Sequence, residues 1–331
     1  MRRFFMKIDF HNHFYPTEYL KKLEEWGHRY EFTYDANGLK IVKEKGARFL
    51  GITPQMEMAE RRIEDMDRYG IDIQVLTLST PNVYFSTRKR NLYLAQMTND
   101  YFAELVQKYP KRFIGFCSVP LGNPDDAIAE LHRAIKDLGM KGVVLGTNIQ
   151  GTHLHVKEYW PFYEEVHRFR LPIFLHPMVP LHPETMAEWP LVPLIGFVMD
   201  TTLTVTKMVY SGLFEKYPDL VLILPHMGGT IPFLYERIDN GYRAFPDVKA
   251  SLPKLPSEYL KSFYYDTVSF HIPSLMCGYQ TFGADHMVLG SDYPHVIGDM
   301  SKSVSTIESL RIPEEDKAKI FGENGKKILN L

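Results

Sequence analysis

Short apolar runs recur along the chain, and each is followed by a longer stretch with helical periodicity. The runs lie at residues 6–10, 73–78, 113–119, 142–145, 173–175, 221–224, 263–265 and 287–290. Their near-continuous apolar character predicts strands of a parallel sheet covered on both faces. Helical spacing of apolar positions falls at 57–69, 92–109, 124–138, 159–169, 205–217, 231–242, 274–282 and 302–310, and a last helix is predicted at 314–329. Gly70 and Gly139 stop two of these helices, and Pro110 follows a third. Eight strands alternating with helices predict an α/β chain folded as a (β/α)8 TIM barrel, with an extra C-terminal helix. No GxGxxG follows the first run, which argues against a dinucleotide-binding fold.

One segment breaks the rhythm. Residues 14–54 separate the first strand from its helix. Asn37-Gly38, flanked by Phe32-Thr33-Tyr34 and Leu39-Lys40-Ile41-Val42, predicts a small β-hairpin laid over the barrel mouth. The length of 331 residues, 45% of them hydrophobic, suits a single domain over 1–331 that contains this insertion.

Charge narrows the partners. Charged residues make up 24%, the formal net charge is -2, and no basic or acidic block stands out. That predicts no nucleic-acid footprint and no electrostatic membrane anchor. Met1-Arg2-Arg3-Phe4-Phe5-Met6 resembles the start of a signal, but Lys7, Asp9 and His11 interrupt any apolar core. No apolar run approaches a membrane span. The two cysteines, Cys117 and Cys277, sit in apolar settings without a CxxC. They read as buried free thiols in a reducing, cytoplasmic compartment.

The candidate chemistry lies at the ends of the apolar runs. Asp9-Phe10-His11-Asn12-His13 ends the first, and alternation along a strand sends His11 and His13 to the same side. His176 ends the fifth, in Phe174-Leu175-His176-Pro177. His226 ends the sixth, before Met227-Gly228-Gly229, where glycines permit close approach to a ligand. Asp292 ends the eighth, where a carboxylate beside a buried strand needs a partner or a cation. A closed barrel brings all four ends to one rim. Imidazoles and a carboxylate there suit one divalent ion, zinc first, with manganese, iron or cobalt compatible. His153-Leu154-His155 repeats the HxH spacing in a polar stretch with no strand to align it, so a structural role is expected there. His28, His132 and His167 read as surface or satisfied histidines.

The motifs resemble the amidohydrolase superfamily, in the branch of 2-amino-3-carboxymuconate-6-semialdehyde decarboxylase and the resorcylate and carboxyvanillate decarboxylases. The matching pieces include Asp9-Phe10-His11-Asn12-His13, Phe174-Leu175-His176-Pro177, Gly212-Leu213-Phe214-Glu215-Lys216-Tyr217-Pro218, His226-Met227-Gly228-Gly229 and Gly290-Ser291-Asp292-Tyr293-Pro294. The resemblance implies a metal held by His11, His13, His176 and Asp292, with His226 handling a proton. It implies that Arg237 holds a substrate carboxylate across a homodimer interface, and that an arginine of the insertion, Arg48, helps. The implied activity is non-oxidative decarboxylation of an aromatic or unsaturated carboxylic acid. The alternative is a hydrolase or hydratase acting on a lactone, amide or unsaturated diacid. Tyr84, Phe85, Trp189 and Tyr293 are candidates to stack on a planar substrate, with plain packing equally expected for each. This chain has Met178 and His295 where the branch commonly carries aromatics. His295 also directly follows the Asp292 turn, which makes it a candidate substrate contact.

Overall fold

A computed structural model describes residues 5–331; residues 1–4 of the signal-like stretch lie outside it. The chain opens with β1 (Ile8–Asp9). The insertion follows, as a helix over Thr17–Trp26 and an antiparallel sheet of β2 (Tyr30–Tyr34), β3 (Lys40–Glu44) and β4 (Ala47–Ile52). Then come β5 (Ile73–Leu76), β6 (Phe113–Ser118) and β7 (Gly142–Gly146), and the short antiparallel pair β8 (Asn148–Ile149) and β9 (Thr152–His153). The series ends with β10 (Pro172–His176), β11 (Val221–Leu224), β12 (Tyr264–Asp266) and β13 (Met287–Val288).

Eight of these strands form one parallel sheet in the order β1-β5-β6-β7-β10-β11-β12-β13, with helices between them. The first and last strands meet where Phe10 N donates to Leu289 O at 2.9 Å, and again at an Asn12–Tyr293 bridge. Alternation along each strand separates two cores. Val75, Val144, Phe174 and Ile223 point into the barrel, while their neighbours Leu76, Val143, Leu175 and Leu224 pack under the helices. Ile328 and Leu329 of the last helix, Asn324–Leu329, join the inner cluster and cover the barrel floor.

The predicted hairpin is β2 and β3, paired from Tyr30↔Glu44 to Tyr34↔Lys40, with Gly38 at φ 78°. The segment holds more than a hairpin. The helix over Thr17–Trp26 buries Tyr19, Leu20 and Leu23 on one face, and β4 adds a third strand carrying Arg48, Phe49 and Leu50. The helix expected at 205–217 begins much earlier, with a π-turn over Val192–Gly196 that runs into Phe197–Tyr210. Pro193 sits in its first turn, where a missing N–H costs nothing. Val192–Tyr210 is long and apolar enough to cross a membrane, contrary to the sequence reading, and 56% of its most apolar window is buried inside the fold. Cys117 is buried as expected, but Cys277 is exposed.

Candidate metal centre

The C-terminal strand ends bring five groups to one mouth of the barrel. Regular pairing of β1 with β5 stops at Asp9. Beyond it Phe10 fills the inner core and His11 also turns inward, its ring 5.2 Å from that of Phe174. His176 is the last residue of β10, paired with Gly146 of β7. His226 and Asp292 lie past β11 and β13, both in the left-handed region, at φ 52° and 56°. Such a conformation is sparsely populated by non-glycine residues and is held by the surroundings. For Asp292 the restraint is visible, because its N–H donates to His11 O at 2.7 Å.

Nitrogen and oxygen atoms converge there. One donor atom each from His11, His13 and His176 lie within 4.8 Å of one another, as do those of His11, His226 and Asp292, and of His13, Asp292 and His295. Asp292 Oδ1 lies 3.3 Å from His11 Nε2 and 3.2 Å from His13 Nε2, and Asp292 Oδ2 is 3.9 Å from His226 Nε2.

The outer hydrogen bonds settle which ring nitrogens carry hydrogen. His176 Nδ1 is 2.8 Å from the Pro177 carbonyl, which can only accept, so Nδ1 donates. Thr77 Oγ1 donates to Asn12 O at 2.6 Å and has no second hydrogen, so at 3.4 Å it accepts from His13 Nδ1. His11 Nδ1 donates to the carboxylate of Asp266. Each ring, when neutral, is therefore left with a bare Nε2. Three lone pairs, that of His176 also reached by Ser79 Oγ at 3.2 Å, then converge on one carboxylate, and a positive charge among them, a proton on His11 or a metal ion, relieves their repulsion. His11 Nε2 is buried with no hydrogen-bond partner among the described residues.

The charge balance points the same way. Burial opposes a charge on His11, but Asp266 and Asp292 outweigh it and push this imidazole up to about 10. Burial drives His13 and His176 well below the ordinary histidine range. Burial also opposes ionisation of Asp292, yet the bonds and charge of His11, with His13, hold it well below the usual carboxylate range. The pocket thus calls for one positive charge at its centre, and three imidazoles with one carboxylate fit a divalent ion.

Two supporting groups are absent from the sequence reading. Asp266, at the end of β12, orients His11, accepts from Val268 N at 2.9 Å and reaches Met227 N beside His226 at 3.4 Å. Arg62 is fully buried behind the site. It donates to the His13 carbonyl, to Asn12 Oδ1 at 3.1 Å and to Gln74 Oε1 at 3.0 Å. Gln74 passes the contact on to Asp9, which also accepts from Ser291 Oγ at 2.6 Å. The strand that carries the HxH and the loop that carries Asp292 are thereby tied together. Arg62→Met should leave these buried acceptors unpaired and cost about 3 kcal/mol of stability, read as a lower urea midpoint at unchanged slope.

Not every candidate reaches the site. A cavity of about 150 Å³ above the cluster is lined by Arg48, His176, His226, Asp292 and His295 on its polar side. Phe49, Leu50, Leu194 and Phe197 line its apolar side. Tyr84 and Phe85 do not line it; they are 2% and 5% exposed, and Phe85 packs on Tyr19 and Tyr30 in the core. Tyr293 turns away, its hydroxyl donating to Asp65 at 2.8 Å and its ring 4.8 Å from the Arg62 guanidinium. Trp189 is 65% exposed and does not line the cavity, although its neighbour Pro190 does. Arg237 lies exposed on the helix Ile231–Ala244 and does not line the cavity of its own chain. His153 does lie on a strand, contrary to expectation, yet its Nδ1 is taken by Thr204 Oγ1 at 2.7 Å, apart from the cluster.

The 2-amino-3-carboxymuconate-6-semialdehyde decarboxylase of Dictyostelium discoideum is 31% identical over 98% of this chain and 92% of its own length. The gamma-resorcylate decarboxylase of Polaromonas sp. is 31% identical, covering 83% of this chain and 88% of its own. The solved dihydroxybenzoic acid decarboxylase from Polaromonas sp., with bound manganese and the inhibitor 2-nitroresorcinol, matches with a TM-score of 0.79 at 27% identity. That match covers 98% of this chain and 97% of that one. The family model described as Amidohydrolase spans residues 8–331, from the first barrel strand through the last helix, and the chain belongs to that family.

Proposed function

We propose that this chain is a metal-dependent carboxy-lyase that removes carbon dioxide, without oxidation, from an aromatic or unsaturated carboxylic acid. One observation carries the reading. A cluster of imidazole nitrogens and one carboxylate floors a cavity that Arg48 also lines, its guanidinium 3.9 Å from the Asp35 carboxylate. Relatives that match most of the chain are decarboxylases. His11, His13, His176 and Asp292 would hold the ion. Zinc suits this set, and manganese, iron and cobalt take it too. When bound, the ion supplies Lewis-acid polarisation of a substrate oxygen.

The remaining work belongs to side chains. Arg48 pairs with the carboxylate and orients it. The wall of Phe49, Leu50, Leu194 and Phe197 excludes water, which strengthens each charge interaction inside. As the bond to the carboxylate carbon breaks, its electron pair stays on the substrate carbon. His226 delivers the proton that replaces carbon dioxide.

The working unit we infer is a homodimer of single-domain chains, cytoplasmic, where two free thiols stay reduced. Leu194, Ile195, Met199 and Leu203 are each about half exposed along one apolar helix, and Phe233 is 86% exposed nearby in sequence to Arg237. An apolar surface of this kind supports a protein interface. Arg237, one turn beyond Phe233, would then serve the neighbouring copy's cavity. A screen of aromatic and unsaturated acids by ultraviolet absorbance, with and without divalent ion, tests the function. The expected result is a spectral change that needs the ion and releases carbon dioxide. An ion-dependent change with no carbon dioxide would move the reading to a hydrolase or hydratase.

A further inference from the structure

Ser79 stands three residues past β5, fully buried, with Oγ 3.2 Å from His176 Nε2 and 3.1 Å from His295 Nε2. A serine hydroxyl has one hydrogen to give. His176 Nδ1 already donates to the Pro177 carbonyl, so its Nε2 is bare and takes the Ser79 hydrogen. The serine oxygen must then accept from His295 Nε2–H. A neutral imidazole carries one hydrogen, so His295 Nδ1 is bare in this arrangement. Burial opposes a charge on both rings.

An ion on the His176 lone pair reverses the pattern. Ser79 can no longer donate there, and the acceptors left to it are His295 Nε2 and the Tyr15 hydroxyl oxygen, of which the imidazole lone pair is the stronger. The His295 hydrogen then belongs on Nδ1. No net proton is gained or lost, because one N–H is exchanged for the other. His295 lines the cavity beside Arg48 and His226, and its Nδ1 has no hydrogen-bond partner among the described residues.

We propose that Ser79 couples occupancy of the metal centre to the tautomer of His295, so that the loaded site presents His295 Nδ1–H to an acceptor oxygen of the carboxylate substrate. The inference rests on the metal-centre reading above. Ser79 is a positioning residue, and His295 sets which substituent the cavity accepts: an oxygen with a free lone pair beside the reacting carboxylate.

Nitrogen-15 NMR of histidine-labelled full-length chain at pH 8 tests this, with the protein chelator-stripped and then given one equivalent of Zn2+. His295→Asn identifies the His295 signals. The stripped chain should carry the His295 hydrogen on Nε2 and the zinc form should carry it on Nδ1. Ser79→Ala should abolish that switch while His11, His13 and His176 still respond to zinc. If His295 keeps one tautomer while those three respond, or if Ser79→Ala switches like the parent, the coupling is wrong. If none of the three responds, the metal-centre reading falls and takes the coupling with it.

Discussion

Asp292→Ala is expected to lose most of its divalent ion and to turn over no faster than chelator-stripped protein. Asp292 is the anionic member of the cluster, and its Oδ1 stands within 3.3 Å of two bare imidazole nitrogens. Removing it leaves three neutral rings to hold a doubly charged ion in a buried site, where uncompensated charge is most costly. The residue also sits at φ 56°, a conformation that alanine tolerates poorly. Asp292→Asn, better suited to that backbone, separates the charge from the strain and should also lose the metal. The check is metal content per chain by mass spectrometry after gel filtration. His153→Ala is the control and should match the parent, since His153 is bonded to Thr204 and stands outside the cluster. Full retention in both Asp292 variants would remove this residue from the ligand set.

His226→Ala should behave differently, keeping its ion while kcat falls roughly 10²–10⁴-fold, the usual worth of a positioned acid or base. His226 Nε2 is 3.9 Å from Asp292 Oδ2, so it borders the cluster without being needed to complete four ligands. Metal content and turnover measured on the same sample decide the matter. A variant that loses its ion would make His226 a ligand. One that keeps both ion and turnover would make the proton path proposed here wrong.

Much of this site is legible in the sequence, because His11, His13, His176, His226 and Asp292 each end an apolar run. Polar side chains are costly there without a purpose, and only a closed barrel gathers those ends. Asp266 follows the same logic. The seventh run reads Phe263-Tyr264-Tyr265, and the carboxylate one residue later falls just outside it, although the strand extends to Asp266. Arg62 gives no such signal. In Ala59-Glu60-Arg61-Arg62 it looks like any helix-surface arginine, and its burial depends on partners around residues 12–13 and 74 that only the fold supplies. The rim aromatics fail for a related reason. Tyr84 and Phe85 follow a strand as a substrate platform would, yet the insertion helix and β2 cover Phe85 and make it core. The early start of the helix ending at Tyr210 is hidden because Pro190 and Pro193 punctuate the sequence like a loop, while the second is tolerated in a first turn. Arg48 does line the cavity, a placement that required β4, the third strand of the insertion.

The dependence of carbon dioxide loss on a divalent ion in this cluster has a direct readout. It is tested most directly by supplying an acid found in the absorbance screen with carbon-13 at the carboxyl, and counting the label released. One labelled carbon dioxide is expected per molecule consumed, with a product that keeps every other carbon and no release by stripped protein until the divalent ion is restored. Consumption of the acid with the label still in the product would contradict it, and so would release at the same rate from the stripped protein.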